Sequence, residues 1–232
     1  GILIGFGIVV AYIFSGGFLA VAWSDLFQGS IMFLALLVLP ITAYLQLPNK
    51  MTFLQGLKDI DPALVNIWGD GGFTFMNFLS VIGLLSIGIG FLGSPQVYVR
   101  FIAIKNTQEI KKGKIVAVIY TLVSSSCAVM IGIIGRFMFT TNSQNPETVL
   151  GPAGENVLYL LLIEIMPTIV VGIYIAALLS AVMSTVDSLL VVASSAVTRD
   201  FYQKIVNPLI DQKTLIRLSK KITLGLALFA LF

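Results

Sequence analysis

Long uncharged apolar runs, joined by shorter polar connectors, dominate the sequence. The runs cover 2–23, 26–49, 71–99, 115–135, 165–186 and 222–232. A helix needs about 20 predominantly apolar residues to cross the hydrocarbon core of a bilayer. Five of the runs reach that length, and the sixth is still apolar where the sequence stops. The pattern therefore predicts an all-α polytopic membrane protein with about six transmembrane helices.

Turn signals between the runs give approximate bounds for these helices. We predict helices over 2–21, 25–46, 74–103, 113–139, 156–198 and 216–232, with the fifth either continuous or divided at Pro167. The Ser24–Asp25 pair is a suitable N-cap for the second helix. Both ends of the sequence lie inside apolar runs, so we expect one transmembrane domain over 1–232 that is truncated at both ends.

Composition and charge support a multi-pass protein of the cell membrane. Hydrophobic residues make up 57% of the chain and charged residues 11%, against about 25% charged in soluble domains. Most of the basic residues fall in the connectors 100–114 and 199–221, which the positive-inside rule places in the cytoplasm. This distribution accounts for the net charge of +3 without a nucleic-acid partner. The absence of His argues against metalloenzyme chemistry.

The predicted helix 74–103 is rich in residues that weaken a helix. Gly83, Gly88, Gly90, Gly93 and Pro95 lie within thirteen positions. Backbone groups freed inside a membrane must be satisfied within the protein or by a water-filled cavity, and interrupted spans are typical of transporter binding sites. The pattern favours a broken helix that contributes to a solute site. Close packing of helices through small residues is the alternative.

A stripe of small polar residues marks the predicted helix 156–198. Ala181, Ser184, Thr185 and Ser188 recur at helical spacing, and Asp187 lies beside them. Hydroxyl, carbonyl and carboxylate oxygens suit a hard cation such as Na⁺. A carboxylate inside a span costs about 2.5–3.5 kcal/mol on insertion scales, which a bound cation would offset. Alternatively, the hydroxyls bond to carbonyls of their own helix and Asp187 lies near the aqueous end.

Asp25 is the only charged residue among the first 49. It is either the N-cap described above or a carboxylate that faces an inward vestibule and attracts cations.

Three stretches resemble the sodium:solute symporter family. They are GFLGSPQVYVRFIA at 90–103, AVMSTVDSLLVVASSAVT at 181–198 and the stretch 12–27 with its SGGFLAVAWSD. Within that family the resemblance is closest to the sodium/proline symporters. It implies part of a leucine-transporter-type inverted-repeat core of ten helices, here core helices four to nine, with 74–103 as the unwound sixth and 156–198 as the eighth.

The resemblance also implies site residues. The principal sodium site would use the Ala181 carbonyl and the hydroxyls of Ser184 and Thr185. A second sodium site, present in some members, would use Asp25, Asp187 and Ser188. The positions implied to line the solute site are Ile87, Gly88, Phe91 and Pro95. Ile87 and Phe91 stand where proline symporters carry Trp and Tyr, which predicts a less polar pocket.

The resulting hypothesis is a sodium-coupled symporter that imports a small organic solute, proline or a related amino acid. Na⁺ is the coupling ion, and no cofactor and no enzymatic activity are expected, since no nucleophile–base pair is found. The expected partners are the solute, sodium, the lipid bilayer and the remainder of its own chain, including the first core helix. The alternative is a transporter-like membrane sensor domain of a signalling protein.

Overall fold

The structure, a computed structural model, describes residues 2–48, 50–69, 71–142 and 144–230. Its described residues form helices and no strands, which confirms the all-α prediction. The α-helices are α1 (Ile2–Leu45), α2 (Phe53–Ile60), α3 (Phe75–Leu92), α4 (Pro95–Ile102), α5 (Thr107–Phe139), α6 (Pro146–Leu150), α7 (Val157–Ile165), α8 (Thr168–Ser195) and α9 (Gln212–Ala230). A π-helix over Ala196–Val206 continues α8.

Four helical segments of the described chain are long and apolar enough to cross a membrane. They are Gly5–Leu45, Phe75–Leu92, Thr107–Phe139 and Thr168–Val206. The first covers both of the helices predicted over 2–21 and 25–46. The sixth predicted helix corresponds to α9, whose first half is basic, and residues 231 and 232 at its predicted end lie outside the described residues.

The interruption in α1 lies earlier than the sequence predicts. Helical structure continues through Trp23 and Asp25, and the backbone departs from it at Gly17, with φ 57° and ψ −143°. Only glycine adopts that conformation readily, because it has no Cβ. The N-cap interpretation of Asp25 is therefore wrong, since Asp25 lies inside the helix, eight residues beyond the break.

We expect Gly17→Ala to destabilise the full-length protein by about 1–3 kcal/mol, because a Cβ is strained in this backbone conformation. The measurement is thermal unfolding of the purified protein in detergent. Gly7→Ala is the matched control, since Gly7 lies in the same helix with open space where a Cβ would be. Equal melting temperatures for the two variants would show that the Gly17 conformation is not required.

Proline sets the other two interruptions. α3 ends at Leu92, Ser94 is extended with φ −68° and ψ 120°, and Pro95 begins α4. In the same way, Met166 is extended with φ −103° and ψ 142°, and α8 begins after Pro167. The ring of a proline disfavours the helical conformation of the residue before it. The predicted broken helix over 74–103 is confirmed, and the helix over 156–198 is divided at Pro167.

The chain divides into two compact units. The first is formed by the described parts of Gly1–Met32, Ser94–Ala103 and Ala177–Phe232, and the second by Phe33–Gly93 and Ile104–Ala176. The core of the first unit consists of Val9, Ile13, Val21, Leu190 and Ala227. The larger core of the second unit is centred on residues such as Leu39, Ile134 and Leu161, all fully buried. The single truncated transmembrane domain stays a prediction.

Candidate cation site

Three helices of the first unit bring a group of oxygen-bearing side chains together. α1 supplies Tyr12 and Asp25, α4 supplies Arg100, and α8 supplies residues 184, 187 and 188. The spacing of three and four residues places the α8 side chains on one face of the helix. Ser184, Asp187 and Ser188 therefore face α1 and α4. We call Tyr12, Asp25, Arg100, Ser184, Asp187 and Ser188 the polar cluster.

Asp25 is one anionic centre of the polar cluster. Its carboxylate accepts hydrogen bonds from the Arg100 guanidinium and from the Ser184 hydroxyl. The Asp25 side chain is 16% exposed and that of Arg100 is 47% exposed, so the ion pair lies at the edge of the buried region. Asp25 therefore has the partners that a carboxylate within a span requires.

Asp187 is the second anionic centre and is completely buried. Its carboxylate accepts hydrogen bonds from the Tyr12 hydroxyl at 2.5 Å and from the Ser188 hydroxyl at 3.4 Å. The Ser188 oxygen in turn accepts from the Arg100 guanidinium at 2.7 Å. Arg100 thus bridges the two carboxylates, directly at Asp25 and through Ser188 at Asp187. The Asp187 side chain is thus enclosed by protein and has the partners that a buried carboxylate needs.

The charges of the polar cluster suit a monovalent cation. With both carboxylates ionised, Asp25 and Asp187 carry two negative charges and Arg100 carries one positive charge, which leaves one negative charge uncompensated within the cluster. Uncompensated charge inside a membrane is costly. The available oxygens come from carboxylates and hydroxyls, which are ligands for hard cations. The described residues contain no group of three or more His, Cys, Asp or Glu side chains that would hold a transition metal.

Ala181 and Thr185 are joined to each other by a hydrogen bond within α8. The Thr185 hydroxyl donates to the Ala181 carbonyl oxygen at 3.2 Å, and Thr185 is exposed. This is the bond within the helix that the sequence left as an alternative. Ser184, on the same turn, instead donates to Asp25. The structure therefore joins Ser184 to the residues of the predicted second site.

The positions predicted to line the solute site lie before and after the break in the predicted helix 74–103. Ile87 and Phe91 are on α3 with 58% and 62% of their surfaces exposed, Gly88 is exposed between them, and Pro95 is the first residue of α4. None of the residues of α3 is buried. Their surfaces are available for contacts with a solute, with lipid or with further protein.

Sequence reasoning missed the roles of Arg100 and Tyr12. Arg100 was counted only among the cytoplasmic charges, and Tyr12 only as the start of a matching stretch. The rule that an ionisable residue within a span needs a partner could have pointed to Arg100, because it is the one charged residue in the sequence of the predicted helix 74–103. No local signal marks Tyr12, which is 175 residues from Asp187 in the chain.

Comparison with known proteins agrees with the predicted family resemblance. The profile of the sodium:solute symporter family matches residues 1–232. The high-affinity proline transporter PutP of Bacillus subtilis is 33% identical over 234 residues, which covers 100% of this chain and 47% of that protein. The sodium/proline symporter of Staphylococcus aureus is 32% identical over 237 residues, which covers 99% of this chain and 43% of that protein. No solved structure gives a significant match.

The long apolar helices and the named relatives together make this a multi-pass protein of the plasma membrane. The chain belongs to the sodium:solute symporter family. It spans less than half the length of the curated relatives described above.

Proposed function

We propose that this chain is the part of a sodium-coupled secondary transporter that carries the coupling-ion site, and that the whole protein imports proline or a related small amino acid. The polar cluster supports this proposal most strongly, because it combines carboxylate and hydroxyl oxygens with one uncompensated negative charge. The names of the relatives support the solute class. No observation in the described residues favours the sensor hypothesis, and both relatives described above are named as transporters.

In the proposed mechanism, Arg100 holds the Asp25 carboxylate when no sodium is bound there. Sodium then competes with the guanidinium for Asp25 and Ser188, both of which Arg100 contacts in this structure. Asp187 stays in place through its hydrogen bond from Tyr12. Exchange of one monovalent cation for the other leaves the net charge of the cluster unchanged. Each sodium that enters also gains about 2.3 kcal/mol per 100 mV of membrane potential.

Two sodium sites follow from this arrangement together with the family resemblance. Asp25, Asp187 and Ser188 would hold one ion. Ala181, Ser184 and Thr185 would hold the other, with ligands from parts of the transporter outside this chain. Ser184 is adjacent to both groups, since it is next to Thr185 and donates to Asp25. For the solute, the family resemblance implies Ile87, Gly88, Phe91 and Pro95 as lining positions.

The proposed transport is tested by uptake of radiolabelled proline into proteoliposomes that contain the full-length protein. Uptake should depend on an inward sodium gradient and should fall to the background level with potassium in its place. If proline does not enter, a panel of other amino acids separates a wrong solute from a wrong function. Failure of every solute with and without the gradient would overturn the proposal.

We expect Ser184→Ala to raise the sodium concentration for half-maximal uptake by about fivefold, because it removes one hydroxyl ligand worth about 1 kcal/mol. Thr185→Ser is the matched control, since it keeps a hydroxyl on the same turn, and it should stay within about twofold of the wild type. The measurement is initial uptake over a series of sodium concentrations. An unchanged sodium dependence in Ser184→Ala would remove Ser184 from the site.

A further inference from the structure

The first unit contains a second polar site, a cavity with a volume of about 260 Å³. Its walls come from the first part of α1, from the end of α8 with its π-helical continuation, and from α9. None of the residues of the polar cluster lines it. The volume lies below the roughly 300–1,000 Å³ typical of sites that enclose a whole small molecule. A cavity of this size fits a single polar group of a larger ligand.

A network of hydroxyl groups forms one wall of this cavity. The Thr223 hydroxyl donates to the Ser194 oxygen at 2.7 Å, and the hydroxyl oxygens of Ser194 and Ser219 are 3.1 Å apart. The Thr198 hydroxyl also belongs to this wall and donates to the Ser194 carbonyl oxygen at 2.6 Å. Ser194, Thr198 and Thr223 are buried. These groups satisfy one another, so the wall is a fixed polar surface.

Three further donors line the same cavity. They are the Ser195 hydroxyl, the Arg199 guanidinium and the Lys220 ammonium group. Lys220 lies over the ring of Phe14, with its nitrogen 5.0 Å from the ring centre. Within the described part of the chain, the Arg199 side chain makes no hydrogen bond or ion pair, and the neighbouring Asp200 is paired with Lys204 at 2.8 Å. No acidic residue is among the described residues that line the cavity.

These donors have the chemistry of a site for phosphate. Arginine and lysine side chains make short charge-assisted hydrogen bonds to phosphate oxygens, and a hydroxyl can add a third. The π-helix begins at Ala196, between Ser195 and Arg199, and such irregular helical segments are frequent at functional sites.

The surroundings of the cavity favour a lipid as the source of the phosphate. Arg199 and Lys220 belong to the connector that the distribution of basic residues places in the cytoplasm. Apolar side chains of Ile13, Phe18 and Leu215 share the lining with the cations. Basic pockets between membrane helices on the cytoplasmic side bind anionic lipid head groups.

We propose that this cavity binds the phosphate head group of an anionic phospholipid from the cytoplasmic leaflet. Arg199, Lys220 and Ser195 contact the phosphate, and the apolar wall contacts the upper part of an acyl chain. The bound lipid connects α1, α8 and α9, because each of these helices lines the cavity.

The test is native mass spectrometry of the full-length protein in detergent, titrated with phosphatidylglycerol or with phosphatidylcholine. Phosphatidylglycerol should remain bound preferentially. Replacement of both cavity cations, Arg199→Gln with Lys220→Gln, should weaken retention by at least about tenfold, because charge-assisted hydrogen bonds to phosphate are lost. A parallel titration with glycerol phosphate, which has the head group without acyl chains, tests whether a soluble phosphate compound binds instead.

The matched control replaces two exposed cations of the same connector that do not line the cavity, Lys213→Gln with Arg217→Gln. It should keep retention within about threefold of the wild type, since exposed and screened charges contribute little. If both double variants lose phosphatidylglycerol equally, the lipid is held by the general positive charge of the connector and the proposed site is wrong. Binding of glycerol phosphate as tight as that of the lipid would overturn the lipid assignment. Melting temperatures in phosphatidylcholine show whether each variant is folded.

Discussion

Replacement of Asp25 by Asn is expected to raise the sodium concentration for half-maximal uptake by about thirty- to hundredfold in the full-length transporter. The carboxylate is one of two in the polar cluster, and its loss leaves the cluster with no net negative charge. Arg100 then loses its ion pair and keeps its contact to Ser188. A cluster without net charge attracts a monovalent cation only weakly, so the binding free energy of sodium should be mostly lost.

The measurement is initial solute uptake by proteoliposomes over a wide range of sodium concentrations. Asp200→Asn is the matched control, because Asp200 lies beyond α8, is exposed and is paired only with Lys204 among the described residues. The control should have the sodium dependence of the wild type. If Asp25→Asn shows that same dependence, Asp25 does not contribute to sodium binding and the proposed second site is wrong.

Replacement of Arg100 by Gln is expected to act in the opposite direction and to lower the half-saturating sodium concentration by about tenfold. In the proposed mechanism the guanidinium competes with sodium for Asp25, and Gln removes this competitor while it keeps a polar side chain. The cluster of the variant carries two negative charges, so sodium should also raise its melting temperature more than that of the wild type.

Sodium-dependent uptake and sodium-dependent melting both test this expectation. Lys105→Gln is the control for general loss of positive charge, since Lys105 lies in the same connector and outside α4. A weaker sodium dependence in Arg100→Gln, similar to that of Asp25→Asn, would mean that Arg100 organises the ion site and does not compete for it.

Most features of the fold that depend on neighbouring residues in the sequence were predictable. Apolar length predicts the spans because the bilayer fixes how long they must be. Pro95 and Pro167 mark the interruptions because a proline restricts the residue before it. Gly17 was missed because its effect on the backbone is a property of the folded chain. A glycine in an apolar run is equally compatible with a continuous helix, as at Gly7, and with a break.

The grouping of the α8 side chains was predictable from the sequence, and the side chains of α1 and α4 that meet them were less so. The spacing of Ser184, Asp187 and Ser188 places them on one face of a helix whatever the tertiary structure. Which residues face that stripe depends on contacts between distant parts of the chain. Arg100 meets Asp25 across 75 positions and Ser188 across 88. Such pairs leave no periodic signal in a single sequence, so Arg100 could be recognised as a cation but not as a partner.

The identity of the solute depends on more than the described residues of this chain. Ile87 and Phe91 have no polar side-chain atom, and so they predict a pocket that is less polar than one with Trp and Tyr in those positions. These side chains can select a solute only together with the protein surface opposite them. The proposal that the solute is proline therefore rests on the names of the relatives. The proposal that the coupling ion is sodium rests on the polar cluster as well.

Equilibrium binding of radioactive sodium to the purified full-length protein tests the cation site most directly, because it requires no knowledge of the solute. The wild type should bind sodium saturably, and the double variant Asp25→Asn with Asp187→Asn should lose at least one bound ion per protein. The double variant Asp59→Asn with Asp200→Asn removes the same charge from exposed positions and should bind as the wild type does. Unchanged sodium binding in the first double variant, with a normal melting profile, would contradict the assignment of the polar cluster as a sodium site.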